Sequence, residues 1–115
     1  MWGVTSTSRV FLCIGATDMR KSFNTLSILI SQELGGEPTS GDLFAFSNKR
    51  MNLVKILYWH RNGFCLWQKR LEEGRFKWPE TEQALREIDH RSLEWLLDGL
   101  DINQAHGKMI SPYVI

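Results

Sequence analysis

This sequence predicts an α+β fold, and three observations carry that prediction. Apolar residues recur at helical spacing in two stretches, they alternate or cluster as strands do across the middle, and the chain has only 115 residues. That length allows one compact core. The expected architecture is a single domain over residues 1–101, with an antiparallel meander sheet of about four to six strands. Packing on one face is expected from an N-terminal helix at about 19–34 and a C-terminal helix at about 90–98. Residues 102–115 show no sustained period and read as a C-terminal tail, ordered only if it docks.

The elements follow in chain order. Val10-Phe-Leu-Cys-Ile14 is a short apolar run rich in β-formers and ended by Gly15, so it reads as a buried strand. Thr17-Asp18 offers an N-cap, after which Met19, Phe23, Leu26, Ile30 and Leu34 line one helical stripe. Gly35-Gly36 and Pro38 stop that helix. Leu43-Phe-Ala-Phe46 and Leu53 to Trp59 then read as strands flanking a polar, basic loop. Asn62-Gly63 is a strong hairpin signal, and Phe64 to Leu71 is the return strand. A two-residue loop pairs positions whose numbers sum to 125 and a four-residue loop over His60 to Gly63 those summing to 123; both give the same faces, Lys55, Leu57, Trp59, Arg61, Phe64, Leu66, Gln68 and Arg70 on one, Val54, Ile56, Tyr58, His60, Cys65, Trp67, Lys69 and Leu71 on the other. The second is the more apolar and is expected to meet the helix. A two-residue loop would set Lys55 opposite Arg70, an unfavourable like-charge pair.

After the Glu73-Gly74 turn, Arg75-Phe-Lys-Trp78 alternates as an exposed strand does. The stretch from Glu80 to Glu87 fits either a helical turn or an edge strand. Asp89 then caps a helix whose buried stripe is Leu93, Leu96, Leu97 and Leu100.

Composition narrows the function classes. With 43% hydrophobic and 23% charged residues the chain is ordinary for a globular protein. No run is long enough for a membrane span and the N-terminus lacks signal-peptide regions, so a soluble, cytoplasmic protein is expected, with no membrane partner. Cys13 and Cys65 sit in apolar strand contexts and read as free thiols. His60, His90 and His106 form no metal-ligand spacing, and nucleotide-binding and nucleophile-elbow motifs are absent. No catalytic constellation, metal, cofactor or small-molecule substrate is expected.

The net charge of +1 hides an asymmetry. Between Ser47 and Trp78 the balance is +6, from Lys49, Arg50, Lys55, Arg61, Lys69, Arg70, Arg75 and Lys77 against Glu72 and Glu73. From Pro79 onward it is −4. Such a basic meander, interleaved with Trp59 and other aromatics, has the ingredients of a nucleic-acid surface: cations for phosphates and rings for bases. The bland alternative makes the aromatics core and the cations a wet face. That core reading is favoured for Tyr58 and Trp67, while for Trp59 the two stand side by side. Arg20 and Lys21 oppose the dipole of the expected first helix, which fits either an anion held at the helix start or a simple pairing with Asp18.

Several blocks resemble one family. Thr17-Asp-Met-Arg-Lys-Ser-Phe23, Gly41-Asp-Leu-Phe44, Leu53-Val-Lys-Ile-Leu-Tyr-Trp59, Gly63-Phe-Cys-Leu-Trp67, Lys69-Arg-Leu-Glu72, Gly74-Arg-Phe-Lys-Trp-Pro79 and Leu96-Leu-Asp-Gly99 run in order. Together they resemble the TnpB-type accessory proteins of the insertion sequence 66 family of bacterial transposable elements, which are unrelated to the RNA-guided nuclease sharing that name. The resemblance implies a role in transposition beside a separately encoded transposase that carries the acidic catalytic residues. Ser92 stands where the family's C-terminal helix usually has glutamine.

The combined expectation is a non-enzymatic transposition accessory that binds the element's DNA. The phosphate-binding set would be Arg20, Lys21, Lys49, Arg50, Lys55, Arg61, Lys69, Arg70, Arg75 and Lys77, with Trp59 available for stacking. The rival is an adaptor that docks on the transposase or another element-encoded protein without touching DNA. Its warrant is the acidic C-terminal part together with Trp95.

Overall fold

A parallel pair of strands sits at the heart of the sheet, where a simple meander would have none. The computed structural model describes residue 1, residues 3–5 and residues 7–103. Strand β1 (Val10–Ala16) runs parallel to β2 (Leu43–Ser47), pairing Val10 with Leu43 and Leu12 with Ala45. Parallel neighbours cannot be joined by a tight turn, so the connection must leave the sheet and return. It does so through α1 (Phe23–Ile28) and a π-helical continuation, Leu29–Glu33. Antiparallel pairing then follows from β2 to β3 (Leu53–His60), from β3 to β4 (Gly63–Arg70), and from β1 to β5 (Leu85–Ile88). The five-stranded order is β4-β3-β2-β1-β5. The fold is thus α+β in a single domain, but its sheet is mixed, and only β2-β3-β4 forms the expected antiparallel meander.

The first helix is shorter than its apolar stripe suggested. Ser22, not Thr17 or Asp18, is the N-cap: its backbone is extended and its Oγ accepts from the N–H of Thr25. Residues 18–21 form a turn closed by Lys21 N–H on the Asp18 carbonyl. Met19 therefore lies outside the helix. Phe23 heads the helix and is 43% exposed, while Leu26 and Ile30 keep the buried stripe. The wide last turn closes with Leu34 N–H on the Leu29 carbonyl and Gly36 N–H on that of Ile30.

Covering both faces of the sheet creates two clusters. Leu26 and Ile30 pack with Cys13, Phe44, Phe46 and Leu57 on one face. On the other, Leu93, Trp95 and Leu96 of α2 (His90–Leu97) pack with Val10, Leu12, Leu43, Ala45, Val54, Ile56 and Tyr58. The helices lie on opposite faces, not together, because the α1 crossover occupies the first. The more apolar hairpin face accordingly meets α2. Helix α2 matches its expected span, and the Asp89 carboxylate accepts from Ser92 N–H as cap.

Other sequence expectations shift by small steps. Of the two registers open at the hairpin, the one whose pair numbers sum to 123 forms; the ladder runs on to His60 paired with Gly63, so the turn centres on Arg61-Asn62 and not on Asn62-Gly63. Arg61 takes a left-handed φ of 60° and Asn62 N–H bonds the His60 carbonyl, so the strained position falls on an arginine. In this register Lys55 faces Gln68 and Arg70 faces Leu53, so the like-charge pair that the two-residue loop would have made does not arise. Arg75–Trp78 is not a strand, since among the described residues its one backbone bond to the sheet region is Phe76 N–H on the Met51 carbonyl. Its alternation survives: Phe76 and Trp78 are buried, Arg75 and Lys77 exposed. The Trp78 indole N–H reaches the Cys13 carbonyl at 3.1 Å. Of the two options for Glu80 to Glu87, the edge strand is the one formed, as β5. Both cysteines are free thiols, and burial pushes the Cys13 thiol well above its ordinary value. Ile102, first residue of the expected tail, is buried in the α2-side cluster, and residues 104–115 lie outside the described residues. No helix among the described residues is long and apolar enough to cross a membrane.

Gly36 marks a close approach of the crossover to the sheet. A Cβ there would sit 2.8 Å from Phe44 Cε1 and 2.9 Å from Ile30 Cγ2, whereas one at Gly63 would meet nothing within 4 Å. Gly36→Ala is therefore expected to destabilise by about 1–3 kcal/mol through overpacking. Gly63→Ala should leave stability within about 1 kcal/mol of the parent, on the stabilising side. Urea midpoints of the two variants check this, and equal midpoints would contradict it.

Candidate nucleic-acid interface

Strand direction decides where the cations go. β1, β2 and β4 end where β3 begins, so the turn at residues 17–22, the loop at 48–52 and the start of the chain after Arg70 gather at one end of the sheet. Lys21, Lys49, Arg50, Lys55, Lys69, Arg70, Arg75 and Lys77 all belong to that end. Trp59 and Arg61 belong to the opposite end of the hairpin, about 23 Å away for seven steps along an extended strand.

The loop that carries Lys49 and Arg50 is built by Asn48. Its Oδ1 accepts from the N–H groups of Asn52 and Leu53 at 3.0 and 3.1 Å, and its Nδ2 donates to Asn52 Oδ1 at 2.7 Å. Met51 N–H closes the turn on the Asn48 carbonyl, and Met51 itself adopts a left-handed φ of 60°. A tight turn followed by a left-handed residue is a standard hairpin connection. Lys49 and Arg50 are its central residues, and both are exposed. Sequence reading named these cations but missed Asn48, although an Asn at the start of a turn is a recognisable signal.

The two strand lysines are committed to backbone carbonyls on opposite faces. Lys55 Nζ donates to the Met19 carbonyl on the α1 side. Lys69 Nζ donates to the Leu97 carbonyl at 2.8 Å, at the C-terminus of α2, where a cation also suits the helix dipole. Both are half-buried. The two lysines therefore share no common plane, because each face of the hairpin is roofed by its own helix.

Arg20 is also engaged. Its guanidinium binds Asp18 through Nε at 3.0 Å and a terminal nitrogen at 2.8 Å, and its N–H bonds the same carboxylate. Of the readings the sequence left open at this junction, the pairing is the one formed, and both residues precede α1 instead of filling its first turn. The hydrogen bonds from Arg20 hold the Asp18 carboxyl well below the usual carboxylate range. A matching pair joins Arg9 to Glu87 at 2.6 Å and lowers the Glu87 carboxyl.

Lys49, Arg50, Arg70, Arg75 and Lys77 are exposed and make no ion pair among the described residues. They are not equivalent. Arg75 and Lys77 share a cleft of about 420 Å³ with Glu80 and Asp101, so carboxylates interrupt the field there. Lys49 and Arg50 at the loop tip, with Arg70 on the α1 face, stand clear of that cleft's lining. At the far end Trp59 packs edge-on against Phe64, with ring centroids 5.0 Å apart. Trp95, the anchor offered for a docking role, is 9% exposed and lies under the Arg91 guanidinium. Among the described residues no group of three His, Cys, Asp or Glu side chains is placed to hold a metal ion.

Comparison with known proteins points one way. The family model described as IS66 Orf2-like protein matches residues 8–107. A protein of Sinorhizobium fredii named uncharacterized protein y4hO is 38% identical over 93 residues, covering 81% of each chain. A second from that organism, uncharacterized protein y4jC, is 28% identical over 102 residues, covering 89% of this chain and 87% of its own. No solved structure matches.

The lowered carboxyls set an acid response. Because Asp18 and Glu87 titrate lower in the folded chain than in the unfolded one, their contribution is present above the unfolded value and is lost as pH falls through the folded one. Asp18→Asn with Glu87→Gln is expected to flatten the acid limb of stability between about pH 6 and about pH 2. Both pairs are exposed, so added salt should shrink the difference. An acid limb identical to the parent's at low salt would contradict the assignment.

Proposed function

The chain belongs to the IS66 Orf2-like family, the TnpB-type accessory proteins of insertion sequences, and from that premise we propose that it acts without catalysis by binding DNA through the cationic end of its sheet. The observation that carries this reading is the group Lys49, Arg50 and Arg70: exposed, without ion-pair partners among the described residues, and held at the sheet end by the Asn48 turn and the last residue of β4. Lys21 extends the group from the turn before α1. Cations so placed neutralise phosphates, and phosphate contacts fix position without reading sequence. The reading therefore favours affinity for DNA in general, with Arg75 and Lys77 secondary because Glu80 and Asp101 share their cleft. Trp59 and Arg61, at the other end of the hairpin, fall outside the proposed contact.

Salt titration of binding to labelled duplex tests this. Four phosphate contacts give a slope of log affinity against log salt of about −3.6, and removing three of them by Lys49→Ala, Arg50→Ala and Arg70→Ala should reduce it by about 2.7. Arg61→Ala should leave it unchanged. A slope unaffected by the triple substitution, or no binding at low salt, would reject the reading.

A second reading, docking on the separately encoded transposase, draws on a different observation. Phe23 and Ile28 of α1 are 43% and 51% exposed, among the described residues the large apolar side chains most open to solvent along with Met1. Under this reading the pair Phe23→Ser and Ile28→Ser abolishes co-purification with the transposase in nuclease-treated extract while leaving thermal stability within about 1 kcal/mol. Retained co-purification would exclude the α1 face.

A further inference from the structure

The sheet has two edges, and they are built differently. β5 has four residues, two of them the charged Arg86 and Glu87, which is how a protected edge looks. β4 has eight, and Gly63-Phe-Cys-Leu-Trp-Gln68 is uncharged throughout, with Lys69 and Arg70 only at its end.

The hydrogen-bond phase of that edge is fixed by its neighbours. Leu71 N–H bonds the Asn52 carbonyl, while the N–H and carbonyl of Leu53 are used by Asn48 on the β2 side. With Leu53 opposite Arg70, odd-numbered residues of β4 direct their backbone groups to β3. Phe64, Leu66 and Gln68 therefore direct theirs outward. Among the described residues no backbone group other than those of β3 bonds to β4. Phe64, Cys65, Leu66 and Trp67 are only half-buried, whereas every residue of β2 is buried.

We propose that β4 pairs antiparallel with β4 of a second copy of this chain, centred on Leu66, joining the two sheets into one. The occupant is another copy because this segment complements itself. With Leu66 opposite Leu66, Phe64 meets Gln68 and Cys65 meets Trp67, and every outward backbone group of the uncharged window finds its counterpart. Lys69 and Arg70 fall opposite Gly63 and Asn62 of the second copy, so no cation faces a cation. A parallel arrangement in the same register would stack Lys69 on Lys69 and Arg70 on Arg70. Cross-strand pairing also covers the half-exposed Phe64, Leu66 and Trp67. The inference stands apart from the DNA reading, since it rests on the uncharged window Gly63–Gln68, whereas the proposed DNA contacts lie at the end of the sheet and meet β4 only at Arg70.

Sedimentation of the full chain across a concentration series tests it, together with hydrogen exchange at the Leu66 and Gln68 amides. The expected result is a reversible dimer and exchange at both amides that slows as concentration rises. Gln68→Pro removes an outward N–H without touching the β3 ladder, and should raise the dissociation constant at least tenfold with the circular dichroism unchanged. Cys65→Ser with Leu66→Cys should form a covalent dimer on oxidation, since directly opposed strand residues lie within disulfide reach. A monomer at every concentration overturns the proposal. So does a dimer indifferent to Gln68→Pro, or amide protection independent of concentration, which would mean the chain covers its own edge.

Discussion

The parallel contact between β1 and β2 is the constraint from which the remainder of the molecule follows. It obliges the chain to cross over the sheet between them, and the crossover lays α1 on one face. β2 then has a strand on either side and apolar cover above and below, so all five of its residues, including Ser47, are buried. Sheets with helical crossovers are usually covered on both faces. Here the second cover is assembled from the segment containing Phe76 and Trp78 together with α2, both C-terminal to the hairpin.

A sheet covered on both faces has no wet plane on which to display charge. Lys55 and Lys69, half-buried on opposite faces of the hairpin, end on main-chain carbonyls of Met19 and Leu97. They tie the strands to their covers. At the strand ends the loop residues Lys49 and Arg50 stand exposed, without ion-pair partners among the described residues. That is why Lys49 and Arg50 differ from Lys55 although all come from the same basic stretch.

Sequence periodicity resolved the strands well because β-strand patterning is local. The second helix was equally legible, since Asp89 and the leucine stripe specify its start and its buried side within eight residues. The first helix was less so: its apolar stripe began at Met19, but the Asp18–Arg20 pairing holds a turn there and delays the helix to Phe23. Of the two hairpin registers the sequence left open, the one that pairs His60 with Gly63 forms, and it outweighs the local preference of Asn62-Gly63 for the turn centre.

The amino-acid order alone therefore determined the class of fold, the identity of nearly every strand, the span of α2 and the location of the basic stretch along the chain. All of these depend on residues within one or two turns of each other. Tertiary structure decided which strands are parallel, which faces the helices cover, and which cations remain unengaged. Those outcomes depend on pairings between residues as distant as Cys13 and Trp78 or Lys69 and Leu97, whose partners no local window contains.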